Sequence, residues 1–275
     1  MIIQPELLAT YSLRNSPHGY DISKVMAAAI NEADAGVALQ NKIRLDGERL
    51  ITEKGNFDLQ NYNRLFVIGA GKAVVPMAGA ICELLGNKII AGLVITSGGY
   101  HLQHNIFISS KVKILQASHP LPSQQNIDAG VELSSLILGL KDDDLVIFLL
   151  SGGGSALLMN PSHGLTLQDI QQTTALLLKC GAPIEEINTI RKHLDRFKGG
   201  GLVKMLYPAT IITLILSDVV GDSFDVIASG PTVADPTTFR DAWNVLSKYQ
   251  IIDQVPASVM MRISAGIQGE IPESV

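Results

Sequence analysis

Apolar positions in this chain fall into short unbroken runs, separated by longer stretches with helical spacing. The runs lie at residues 64–70 (RLFVIGA), 89–96, 112–117, 145–150 and 210–216 (TIITLIL). They are rich in Val, Ile and Leu and lack strict polar alternation, as strands of a parallel sheet covered on both faces do. Between and around them, residues 21–39, 72–85, 123–140, 166–179, 185–198, 238–249 and 256–265 predict helices. Asp21 is the expected N-cap of the first, and Gly181 and Pro183 separate the fourth from the fifth. Strands alternating with helices in this way predict an α/β fold: a doubly wound, Rossmann-like and mostly parallel sheet with helices on both faces.

Composition narrows the function classes. Hydrophobic residues make up 47% and charged residues 17% of the 275, which excludes a disordered chain. A net charge of −5 argues against a nucleic-acid partner, whose footprint would be a basic stripe. Mean hydropathy is +0.26, yet the longest apolar runs, such as 145–150, are far too short to span a bilayer. Cys82 and Cys180 fit no metal or redox spacing and read as reduced thiols. The first residues (MIIQPELLAT) lack the basic, apolar and cleavage regions of a secretory leader, so the expected location is cytoplasmic.

In an open parallel sheet, ligands bind beyond the carboxyl ends of the strands, where strand order reverses. The turn Gly69-Ala70-Gly71-Lys72 follows the first apolar run. Its glycines, the free amides of the next helix and the Lys72 charge suit a phosphate or carboxylate. It is not a Walker A loop, because Ala73 follows Lys72, nor the full dinucleotide fingerprint, because Val74 takes the last small position. A turn that merely packs a helix on a strand would read the same way. Ser151-Gly152-Gly153-Gly154-Ser155 follows the fourth run. Successive glycines raise the entropy cost of folding, and a nest of amides around an anion, with two hydroxyls as extra donors, is one reason to carry them. A flexible loop is the other. The order is not that of a GxSxG nucleophile elbow. After the last run, Ser217-Asp218-Val219-Val220-Gly221-Asp222 offers two carboxylates that suit Mg²⁺, or an Asp that caps the next helix.

Within the predicted helix 185–198, Asn188, Arg191, Asp195 and Lys198 fall at offsets that put them on one face, with Lys192 and His193 beside it. Gly199-Gly200-Gly201 follows, where one C-cap glycine would suffice, and this predicts a crowded, ligand-facing helix end. His119 stands before Pro120 at a strand end. His101 and His104 lie in a loop without a third zinc ligand, and His18 and His163 are expected at the surface.

Taken in order, these segments resemble the glycerate 2-kinase family, the group with a MOFRL-type C-terminal domain, some of whose members carry the label hydroxypyruvate reductase. The resemblance rests on GAGKA (69–73), SHPLP (118–122), SGGGSA (151–156), INTIRKHLDRFKGGG (187–201), SDVVGD (217–222) and ASGPT (228–232). It implies phosphoryl transfer from ATP to the 2-hydroxyl of D-glycerate, giving 2-phosphoglycerate, with Mg²⁺. Lys72 matches the family's active-site lysine. Expected in catalysis are Lys72, Arg191 and Asp218; Asp218 and Asp222 are the expected metal ligands. Expected in substrate or nucleotide binding are Gly69, Gly71, His119, Ser151, Gly152, Gly153, Gly154, Ser155, Asn188, Lys192, Lys198, Gly199 and Gly200. The resemblance also implies a smaller C-terminal domain across the cleft. Residues 1–260 are then the expected Rossmann-like domain and 261–275 a truncated linker or the start of the second domain, leaving this chain an incomplete and weakly active portion. Expected partners are D-glycerate and ATP, with neither nucleic acid nor membrane, and a homodimer is left open. Two other readings stand beside this one. An NAD(P)H-dependent hydroxypyruvate reductase is weakened by Val74 and by the want of an acidic ribose partner. A non-catalytic anion- or nucleotide-binding domain is the second.

Overall fold

The computed structural model describes residues 3–98, 106–219 and 221–274. Helices α1 (Pro5–Leu8), α2 (Tyr11–Arg14), α3 (Gly19–Glu32) and α4 (Ala35–Gln40) lead into an antiparallel sheet of β1 (Ile43–Asp46), β2 (Arg49–Thr52) and β3 (Gly55–Asp58). The central unit follows as β4 (Arg64–Ala70), α5 (Val74–Leu85), β5 (Ile89–Ser97), β6 (Val112–Ala117), α6 (Gln124–Leu136) and β7 (Asp144–Ser151). After it come α7 (Gly154–Leu157), α8 (Leu167–Lys179), α9 (Ile184–Leu194), α10 (Gly201–Leu206), β8 (Thr210–Leu216), α11 (Phe239–Lys248) and α12 (Ala257–Ile267).

The five predicted strands form one parallel sheet in the order β6-β5-β4-β7-β8. The chain winds outward from β4 to β6, then returns to place β7 on the other side of β4. Strand order therefore reverses between β4 and β7, where the glycine turns 69–72 and 151–155 leave the sheet side by side. Side chains alternate between faces as a strand requires. Leu65 and Val67 join the cluster made by α4 and α5, while Phe66 and Ile68 join the cluster of α6, α7 and α10. A third apolar cluster, built from α8, α9, α11 and α12, stands apart from both sheet faces. Asp144 opens β7 fully buried, and Arg64 on the adjacent strand holds it through Nε at 2.7 Å and Nη2 at 2.5 Å. No helix among the described residues is long and apolar enough to cross a membrane.

Two expectations need correction, and one small sheet is additional. The first predicted helix is two helices: Asp21 sits inside the first turn of α3, and Asp34 caps α4 by accepting from the amides of Gly36 and Val37. The small antiparallel sheet has no counterpart in the sequence reading, because its strands are short, polar and half-exposed. Helix α9 stops at Leu194 rather than running to residue 198. Asp195 is extended (φ −131°, ψ 140°) and bridges to Pro161, so Asp195 and Lys198 do not share a helical face with Asn188 and Arg191. The Asp195 carboxylate stabilises that break by accepting from the amides of Asn160 and Phe197, both at 2.9 Å.

Candidate active site

The two turns at the switch point are stitched together. The amide of Lys72 donates to Gly152 O at 2.9 Å, and the amide of Ala73 donates to Ser151 Oγ at 3.0 Å. Gly71 adopts φ +145°, and any Cβ there would meet the Ser151 backbone at 2.7–2.8 Å, so only glycine permits this approach. Gly69 is likewise pressed on Leu149. The conformation of one turn thus fixes the other, and both deliver side chains to the same place.

That place is the face of Gly153. A Cβ built on Gly153 would lie 3.2 Å from Lys72 Cε and 3.2 Å from His119 Nε2, and a Cβ on Gly152 would collide with the Asp218 carboxylate. Lys72 and Asp218 are exposed there, while His119 is half-buried. Burial, and then the Lys72 charge, push the His119 imidazole below its ordinary value, which favours the neutral ring. Gly153 takes the left-handed φ of +84° that opens α7, and among the described residues no protein acceptor takes the amides of Gly153 or Gly154. The result is a cationic amine, free amides, a neutral imidazole and one carboxylate converging on an open glycine surface. Positioned cations and amide donors of this kind stabilise charge on a transferring group.

Asp218 meets the requirement of a hard cation for a carboxylate oxygen at a strand end, since Mg²⁺ takes one or two carboxylates with waters and phosphates. Among the described residues no group of three or more His, Cys, Asp or Glu gathers around it. Asp222 is exposed in a left-handed turn (φ +49°) two residues after Val220, which lies outside the described residues, as do His101 and His104.

A second polar group lies behind the turn. Ser155 Oγ is 2.7 Å from Ser229 Oγ, Ser229 donates to Asn188 Oδ1 at 3.0 Å, and Asn188 Nδ2 donates to Val226 O at 3.3 Å. Arg191 reaches Ser155 Oγ through Nη1 at 3.5 Å, and among the described residues it has no carboxylate within ion-pair distance. Burial pushes its guanidinium below the usual arginine range.

The remaining candidates are turned to the protein. Lys198 is buried, donating to Leu158 O at 2.8 Å and to Asp195 at 3.1 Å. Burial, opposed by Asp195 and reinforced by Arg191, holds its ammonium below the ordinary lysine value. Lys192 is likewise buried between Asp235 at 3.2 Å and Asp225 at 3.6 Å. Both ammonium groups are therefore neutralised in place rather than held out to a ligand. The crowding predicted at Gly199-Gly200-Gly201 comes from the protein itself. Gly199 and Gly200 donate to the carbonyls of Ser229 and Gly230, and Gly201 is pressed on Arg196 O. Ser229 stands in the ASGPT segment with no chemical signal of its own in the sequence. Its backbone is left-handed (φ +63°) between Ala228 and Gly230, also left-handed, a conformation that composition does not announce.

Comparison with known proteins identifies the family. The family described as a domain of unknown function, DUF4147, matches residues 21–264. Glycerate 2-kinase of Pyrococcus horikoshii is 40% identical over 252 residues, covering 92% of this chain and 55% of that protein. A crystal structure of a Pyrococcus horikoshii protein superposes with a TM-score of 0.83 at 40% identity, covering 92% of this chain and 56% of that one. A crystal structure of glycerate kinase from Thermotoga maritima gives 0.68 at 44% identity, covering 74% of this chain and 48% of that one. The chain thus spans about half the length of the relatives it matches. By sequence and by fold, this chain belongs to the DUF4147 family, the family of the glycerate 2-kinases.

Proposed function

We propose that this chain carries a portion of the active site of an ATP-dependent kinase that phosphorylates D-glycerate on its 2-hydroxyl. The observation that carries the reading is the meeting of Lys72, His119 and Asp218 over the glycines of the 151–155 turn, at the point where strand order reverses. The γ-phosphoryl group of ATP moves to the 2-hydroxyl oxygen, the hydroxyl proton leaves to a base and ADP departs. Such a reaction asks the protein mainly for alignment and for charge stabilisation. Lys72 supplies a cation at the open face of Gly153, and the amides of Gly153 and Gly154 supply neutral donors to phosphate oxygens. Asp218 serves either as a base beside the attacking hydroxyl or as a ligand of Mg²⁺. Mg²⁺, when bound, would neutralise charge on the phosphates.

A coupled assay of ADP release with D-glycerate, ATP and Mg²⁺ tests the reading. Lys72→Ala is expected to lower turnover by roughly a hundredfold or more, the usual scale for losing one transition-state charge donor. Turnover that survives the substitution undiminished, or ADP release that ignores D-glycerate, would overturn it. A nicotinamide absorbance change with hydroxypyruvate and no ATP would support the reductase instead.

A further inference from the structure

Arg191 is a half-buried guanidinium whose five donors meet one protein acceptor among the described residues, and that contact is long. It borders a cavity of about 20 Å³ that Ser155, Met159, Ile170, Thr174 and Ile190 also line. Lys198 and Asp195 close the wall, but the Asp195 carboxylate already serves two backbone amides and Lys198. Two cations therefore face one committed carboxylate, and the uncancelled charge belongs to Arg191.

The hydroxyls beside it have a fixed direction. Val226 O can only accept, so the Asn188 amide must point its nitrogen there and its oxygen at Ser229. Ser229 spends its proton on Asn188 Oδ1, so it can only accept from Ser155 at 2.7 Å. Ser155 spends its proton in turn and shows lone pairs to Arg191. The chain Asn188–Ser229–Ser155 thus ends as an acceptor aimed at one corner of the guanidinium, leaving the opposite edge free. It also removes Ser155 from the donors expected around an anion.

Resting on the kinase reading above, we propose that Arg191 receives the carboxylate of the hydroxy-acid substrate, and that Ser229 and Asn188 are positioning residues that aim it without touching substrate. A carboxylate matches the guanidinium fork in two parallel hydrogen bonds. The cavity is too small for a polyphosphate, and Met159, Ile170 and Ile190 form part of its wall. Burial lowers the affinity of this guanidinium for its proton.

The test is calorimetric titration of the 275-residue chain with D-glycerate, with its uncharged amide D-glyceramide, and with ATP plus Mg²⁺. The acid is expected to bind about tenfold or more tightly than the amide, the worth of one charged hydrogen-bonded pair. Arg191→Gln abolishes that preference and leaves ATP binding unchanged. Ser229→Gly shrinks the preference several-fold, and glycine takes the left-handed φ of +63° at that position without strain. Full preference in Ser229→Gly overturns the positioning role, and loss of ATP binding rather than acid preference in Arg191→Gln overturns the carboxylate assignment. ADP release from a chain that binds acid and amide equally would sink this proposal and spare the kinase reading. Acid preference together with a nicotinamide absorbance change on hydroxypyruvate, and no need for ATP, would sink the kinase reading and spare the carboxylate site.

Discussion

Asp144 illustrates how much a single side chain carries in the sheet. Burial alone would raise its carboxyl group, but the Arg64 guanidinium and the Lys141 amide hold it below the usual aspartate value. A depressed value in the folded state means that the ionised form stabilises the fold. That contribution is complete above the unfolded value of about 4 and is lost as pH falls through the lower, folded value. Asp144→Asn is therefore expected to lower the urea midpoint at pH 7 and to flatten its further fall below about pH 4. Asp169, Asp235 and Glu186 have values lowered in the same direction, so wild type and variant must be compared across the whole range. An unchanged acid slope in the variant would show that the Arg64 pair contributes nothing to stability. Lys72 belongs to this scale as well, because its amide, not its length, fixes it to the neighbouring turn.

At the scale of elements, the strands were legible and the breaks were not. Residues 112–117 and 210–216 are strands with the bounds that their apolar runs indicate, although as the two edge strands they are only partly buried. The meander β1–β3 escaped notice because short, half-exposed strands carry Arg, Asp and Asn as readily as loops do. The end of α9 escaped because Asp195 reads as a helical surface residue until its carboxylate is seen capping two amides from outside the helix. For the site, the glycine turns marked the place, but the Ser155–Ser229–Asn188 chain depends on a left-handed bend at 228–230 that brings distant segments together. Helix α6 supports that region closely. Its Asn126 donates to Ala156 O at 2.8 Å, and a Cβ at Gly130 would strike Met159 O. Gly130→Ala gains up to about 1 kcal/mol of helix propensity, but it overpacks against a carbonyl that no rotamer change can move. A net loss of about 2 kcal/mol is expected, seen as a melting temperature lower by about 4–8 °C. A melting temperature equal to or above wild type would mean that α6 shifts freely against the 155–159 segment.

Across the whole molecule, the two halves of the proposed site stand on different apolar clusters. Lys72, His119 and the 151–155 turn are carried by the sheet, whereas Arg191 projects from α9 in the cluster of α8, α11 and α12. What joins the clusters is polar. Lys198 holds Leu158 O, Asp195 holds Asn160, Asn188 holds Val226 O, and Ser229 O receives Gly199. Ser274 and Lys192 both bond to Asp235, so α9 is tied to the segment that leads into α11 and to the residues beyond α12. Each of these groups is buried or partly buried, and separating the clusters would leave several of them unpaired at a cost of about 1–3 kcal/mol apiece. The helical cluster is therefore expected to unfold together with the sheet, in a single calorimetric transition whose van't Hoff and calorimetric enthalpies agree. Because unfolding is shared, D-glycerate at about a hundred times its Kd should raise that one transition by about 5–10 °C, although its proposed receptor lies in the helical cluster alone. Two separated transitions, with D-glycerate moving only one, would show that the polar seam does not couple the clusters and that the alignment of Arg191 with Lys72 is set by ligand rather than by the fold.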